Sequence, residues 1–156
     1  MSALTDGNGS LWDNAGQFDD VYAKATCKDR GVLEYFEVGV DAKCGPVMSG
    51  QSYEVEADCP DISSLCPVTG EPWFGKIRIS YRPRERCVET KSLRLYLNGF
   101  RNAGWFHEEL CKAVCADLAI LLLPARLAVE GEFPSRGDIA VRPRVVYCDA
   151  EGDGYE

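Results

Sequence analysis

"FHEELCKAVCADLAILLL" (residues 106–123) spaces Phe106, Leu110, Val114, Leu118 and Leu122 four apart, puts Glu108, Glu109, Lys112 and Asp117 on other faces, and is followed by Pro124. An apolar recurrence of this period, closed by a proline, predicts a long amphipathic helix. Just before it, "KSLRLYLNGFRN" (91–102) carries Leu93, Tyr96, Leu97 and Phe100 on a helical stripe, although "LRLYL" also alternates as a strand would. We read a shorter helix with Ser92 as its N-cap. On either side of these helices the period drops to two. "YEVEAD" (53–58) alternates, and "FGKIRISY" (74–81) sets Ile77, Ile79 and Tyr81 against Lys76, Arg78 and Ser80. Downstream, "RLAVEGEF" (126–133) turns Leu127, Val129 and Phe133 inward, and "IAVRPRVVY" (139–147) aligns Ile139, Val141, Val145 and Tyr147, with Pro143 marking an edge strand or a bulge. Strand, strand, helix, helix, strand, strand implies an α+β fold, an antiparallel four-stranded sheet with two helices on one face. "GVLEYFEVGV" (31–40), apolar at Val32, Leu33, Tyr35, Phe36, Val38 and Val40, adds a strand or an extended arm.

The chain has 156 residues, 46% of them apolar and 27% charged, which suits one domain with a genuine core. We place that domain at residues 31–148, between an N-terminal extension (1–30) and an acidic tail (149–156). Both ends, "MSALTDGNGS" and "CDAEGDGYE", are polar and read as mobile. No apolar run approaches the roughly eighteen residues a membrane helix needs, and the N-terminus has no basic stretch leading into an apolar one. A soluble, cytoplasmic protein is expected, and its eight irregularly spaced cysteines are expected to be thiols. His107, Cys111 and Cys115 fall on one side of the long helix; they form either a partial metal site or, more simply, part of the core. The formal charge of −8, from 25 acids and 17 bases, argues against a broad nucleic-acid grip. Basic clusters persist at Lys76, Arg78, Arg82, Arg84 and Arg86, at Lys91 and Arg94, and at Arg136, Arg142 and Arg144. They fit a phosphorylated cofactor or an ion-paired sheet face. A sheet with two edges usually protects them by pairing with copies of itself, so self-association is expected.

Three stretches could carry chemistry. "SSLCPVTGEPW" (63–73) holds Cys66 on a loop punctuated by proline and glycine, where a thiol can act as a nucleophile or simply fill space. "CVETKSLRLY" (87–96) sets Glu89 just before a helix start, with Lys91 and Arg94 beside it, as an anion site would or as an ordinary capped helix would. "GWFHEEL" (104–110) carries the only histidine, His107, next to Glu108, either to move a proton or to pack.

In order and spacing these stretches resemble the QueF family of NADPH-dependent nitrile reductases. Family motifs "SLCPxTGQPDF", "ESKSLKLYL" and "FRNxGxFHE" stand here as "SLCPVTGEPWF" (64–74), "ETKSLRLYL" (89–97) and "FRNAGWFHE" (100–108). The resemblance runs from about Val32 to Tyr147 and implies the tunnelling fold, ring-shaped assemblies and sites between subunits. It implies Cys66 as the nucleophile that adds to the nitrile of 7-cyano-7-deazaguanine. It makes Glu108, and Glu89 of a neighbouring copy with Val88 and Thr90 around it, the residues that bind the base, with His107 lining the pocket. Lys91, Ser92 and Arg94 fall in the stretch associated with NADPH, where helix-start amides also suit phosphates. One position departs: the family's general-acid aspartate is Trp73 here, and indole does not ionise usefully. The missing proton then comes from His107, from Glu71 or from water. Two other readings stay open: a QueF-like amidinotransferase that adds ammonia to the thioimide, or a silent purine- or pterin-binding protein in which Trp73 stacks on the bound ring.

Overall fold

The computed structural model describes residues 30–39 and 50–150. Expectations for Val40, for both chain ends and for most of the N-terminal extension fall outside them. After a 3₁₀ turn (Arg30–Val32) come β1 (Tyr35–Glu37), β2 (Val55–Leu65), β3 (Pro72–Arg82), β4 (Arg86–Val88), α1 (Thr90–Asn98), α2 (His107–Leu122), β5 (Arg126–Arg136), β6 (Ile139–Val141) and β7 (Arg144–Cys148). The main sheet is antiparallel, in the order β2-β3-β5-β7, with β6 against the far end of β5; β1 and β4 make a separate pair. The expected element order and fold class are therefore observed. Described residues include no helix long and apolar enough to cross a membrane.

Alternation puts Trp73, Ile77, Ile79 and Tyr81 of β3, and Leu127, Val129 and Phe133 of β5, on the helix side, all of them buried. The opposite face is a ladder of charges. Arg78 meets Asp58 at 2.9 Å and Glu56 at 3.5 Å, Arg144 meets Glu130 at 2.6 Å, and Arg82 meets Glu54 at 3.6 Å. Arg78, Arg82 and Arg144 thus answer acids across the sheet instead of adding to a cationic patch.

Four expectations are corrected. First, α2 is buried from Leu110 to Leu122 except at Lys112, because it is packed against β5 and β7 on one side and β4 on another. Asp117, placed on an outer face by its polarity, is fully buried and accepts a 2.5 Å hydrogen bond from the Tyr96 hydroxyl of α1. Phe106 is the half-exposed N-cap of the helix instead of its first core residue. Second, Ser92 does not cap α1; Glu89 does, its carboxylate accepting the N–H groups of Lys91 and Ser92 at 2.8 and 2.7 Å. Third, β2 continues past Asp58 to Leu65 through a register shift between Cys59 and Ile62, where Pro60 cannot donate to the ladder. Fourth, "IAVRPRVVY" breaks at Pro143 into β6 and β7, leaving Ile139 73% exposed while Val145 and Tyr147 still pack on the core.

Two interactions secure the far end of α2. Arg86 donates to the Leu121 carbonyl at 3.0 Å and lies 4.3 Å over the Tyr35 ring, so one guanidinium serves an open helix carbonyl and an aromatic face. Leu123 then ends the helix in the left-handed region, φ 48°, its N–H returning to Ala119.

Candidate active site

Cys66 opens the β2–β3 hairpin loop. Its N–H donates to the Glu71 carbonyl at 2.8 Å, and its carbonyl accepts the Gly70 N–H at 2.8 Å. Gly70, at φ +73°, allows a tight return that a side chain would strain. The thiol is half-buried and packs against the core. The chain before it is pinned as well. Leu65 donates to Ala103 at 3.0 Å and accepts from Trp105 at 3.0 Å, so that residues 103–105 run parallel beside the turn. The Ser64 hydroxyl, fully buried, also reaches the Ala103 carbonyl.

Two residues beyond Trp105, the fastened segment becomes α2 at His107. The Trp73 indole donates to the Trp105 carbonyl at 3.1 Å and meets the imidazole edge-on at 4.6 Å and 87°. Phe133 covers the imidazole face at 4.2 Å with the rings 5° from parallel. Glu108 and Glu109 are exposed on the first turn of α2, where carboxylates suit the helix dipole. Trp73 itself is only 3% exposed. Its ring belongs to the core and is not presented for stacking on a ligand, against the expectation attached to it.

The other candidates gather where α1 begins. Val88 is buried and donates to the Tyr81 hydroxyl at 3.1 Å; burial raises the Tyr81 phenol above its ordinary range. Glu89 is held below the usual glutamate value of 4.5, chiefly by the Lys91 N–H and then by that of Ser92. Those amides are therefore already engaged, and the positive charge offered here comes from the side chains of Lys91 and Arg94, both exposed. Ser92 is turned inward: its hydroxyl accepts the Glu34 N–H at 2.9 Å and donates to the Glu89 carbonyl at 2.8 Å. Thr90 and Arg94 line a cleft of about 560 Å³ against Asp58–Asp61 of β2. A neighbouring cleft of about 760 Å³ follows β2 through Ser63, Ser64 and Leu65 toward the Cys66 turn. Arg101 lines both clefts. Sequence reading passed it over, although it stands in the "FRN" that opens one of the three family-like motifs.

Cys111 and Cys115 are core residues, and burial pushes both thiols up to about 12. The six cysteines among the described residues are all thiols, and no group of three potential ligands there is placed to hold a metal ion.

The sheet with two helices on one face, and a thiol on the hairpin beside the start of the second helix, define an α+β protein of the tunnelling-fold class. Residues 72–152, which follow the Cys66 turn and include both helices, match the family described as QueF-like protein. The chain belongs to the QueF family. An NADPH-dependent 7-cyano-7-deazaguanine reductase of Anaeromyxobacter is 48% identical over 90 residues, 58% of this chain and 74% of the relative. The Helicobacter pylori protein of that name is 45% identical over 102 residues, 65% of this chain and 69% of the relative. The crystal structure of an archaeosine synthase QueF-Like in the apo form superposes with a TM-score of 0.54 at 16% identity, over 64% of this chain and 95% of the other. At that identity the likeness is one of fold.

Proposed function

We propose that this chain is a cytoplasmic nitrile reductase of queuosine biosynthesis, converting 7-cyano-7-deazaguanine to 7-aminomethyl-7-deazaguanine through a thioimide on Cys66. The observation that carries this reading is the fastening of the Cys66 turn, by Leu65, Ala103 and Trp105, to the segment that delivers His107 and Glu108. It is supported by the names of the curated relatives. As the thiol adds, a sulfur–carbon bond forms, one nitrile π bond breaks, and a proton ends on nitrogen. Reduction to the amine then takes two hydride equivalents and two protons and returns the Cys66 thiol. NADPH, when bound, supplies the hydride.

Lys91 and Arg94, with Arg101 on the same cleft as Arg94, offer the cations that its phosphates need. Ser92 contributes by holding the start of α1. Glu108, and Glu89 of a neighbouring copy flanked by Val88 and Thr90, accept the N–H groups of the base, which would otherwise be buried unpaired at a cost of about 1–3 kcal/mol each. With tryptophan at 73, proton delivery falls to His107, the titratable side chain in ring contact with that position. Copies assemble into a ring with sites between subunits.

The test is to mix the protein with 7-cyano-7-deazaguanine and NADPH, following absorbance of the cofactor and intact protein mass. An adduct on the wild type, none on Cys66→Ala, and consumption of NADPH are expected. An adduct without NADPH loss would replace reduction by transfer of ammonia, and no adduct at all would reduce the chain to a binding protein.

A further inference from the structure

We propose that Phe133 is a positioning residue for His107: a phenyl platform, laid on bare backbone, that sets the plane of the imidazole beside the Cys66 turn. This rests on the functional reading above, in which His107 lines the pocket and delivers a proton.

The platform begins with two glycines. A Cβ on Gly131 would stand 2.5 Å from Cε2 of Phe133 and 2.8 Å from Sγ of Cys111, and one on Gly75 would overlap the same ring. Glycine inside a strand weakens it and marks a close approach of another group. On β3 and β5 that group is the Phe133 ring, which is 1% exposed. One face of the ring is covered by the imidazole, 4.2 Å away and 5° from parallel. Trp73 closes the cluster by meeting His107 at 87° and Phe133 at 86°, and its own tilt is fixed by the hydrogen bond to Trp105. One face and one edge of His107 are therefore in ring contact, so its nitrogens lie in a defined plane while the residue keeps partial access to solvent. Edge-to-face and parallel contacts at these distances are attractive as well as space-filling.

The chain contains a single histidine, so its ring resonances stand alone in an NMR spectrum. In the wild type, cross-relaxation is expected from the His107 ring to the rings of both Phe133 and Trp73. In Phe133→Leu the His107–Trp73 cross-peak should disappear, and turnover should fall about 10- to 100-fold, the scale of a misplaced catalytic group, with little change in KM. A His107–Trp73 cross-peak that survives Phe133→Leu overturns the proposal, as does the absence of a His107–Phe133 cross-peak in the wild type, which needs no variant to fold. If the wild type turns over no nitrile, the functional reading fails, while the cross-peaks still decide whether Phe133 holds the ring.

Discussion

Trp73 fills two roles that the family's aspartate could not fill together. It occupies a large volume between β3 and α2, and through Trp105 it ties the Cys66 turn to the start of that helix. Restoring the acid therefore has opposing effects. Trp73→Asp should lower stability by about 3–5 kcal/mol, the usual cost of emptying a buried tryptophan site, as read from the urea midpoint. If the missing acid limits the reaction, nitrile reduction per folded molecule should rise tenfold or more at a temperature where the variant remains folded, since general acids contribute about 10² to 10⁴. An unchanged rate in folded Trp73→Asp would mean that another group already delivers the proton. The sequence displays the substitution plainly. It does not display the outcome: the alternation legible in the sequence starts at Phe74 and leaves Trp73 at the end of the Cys66 loop, so nothing there says that the indole turns inward to meet His107 and Phe133.

Among the elements, α1 shows how a cap decides the use of a site. Serine is a common N-cap and glutamate is not, so Ser92 looked the better candidate; the structure instead reaches back to Glu89, whose longer side chain accepts two amides. Because those bonds hold the folded carboxyl below its unfolded value, the stabilisation is fully present above the usual 4.5 and is lost as pH falls through the folded value. Urea titrations of wild type and Glu89→Gln between pH 7 and 3 should show the wild type more stable at neutrality and the gap closing with acid. A gap independent of pH would mean that ionised Glu89 does not hold the helix start. The long helix was legible in its boundaries, since Pro124 and the four-residue recurrence mark them, but not in its burial. Asp117 looks like a surface residue in any hydrophobic pattern, and the Tyr96 hydroxyl arriving from α1 is part of what makes its place in the core tenable. The glycines under Phe133 were hidden for a related reason: glycine carries no signal in a two-residue period, so a deliberate gap and an ordinary weak position look alike.

For the whole molecule, the order of elements followed from the switch between periods of two and about four, whereas β4, three residues long, is too short to have a period at all, and β6 merged with β7 into one alternating run. The candidate site is divided along the same chain. The Cys66 turn and His107 come together through residues 103–105, while Glu89, Lys91 and Arg94 stand at the start of α1. The sheet ends in β2 on one side and β7 on the other, and such edges favour pairing between copies. If the base is held by Glu89 of one copy while Cys66 of the next attacks it, the two defects can be placed on different chains. Cys66→Ala has no nucleophile, and Glu89→Gln turns an amide donor toward the donors of the base, so each variant alone should lose at least about 10²-fold in nitrile reduction. Co-expressed and randomly assembled, roughly a quarter of their interfaces would pair an intact Cys66 with an intact Glu89. Activity should therefore return toward that fraction of wild type in particles whose native mass shows both chains. Mixed particles as inactive as the parents would place both residues in one subunit's site and remove the need for a neighbour.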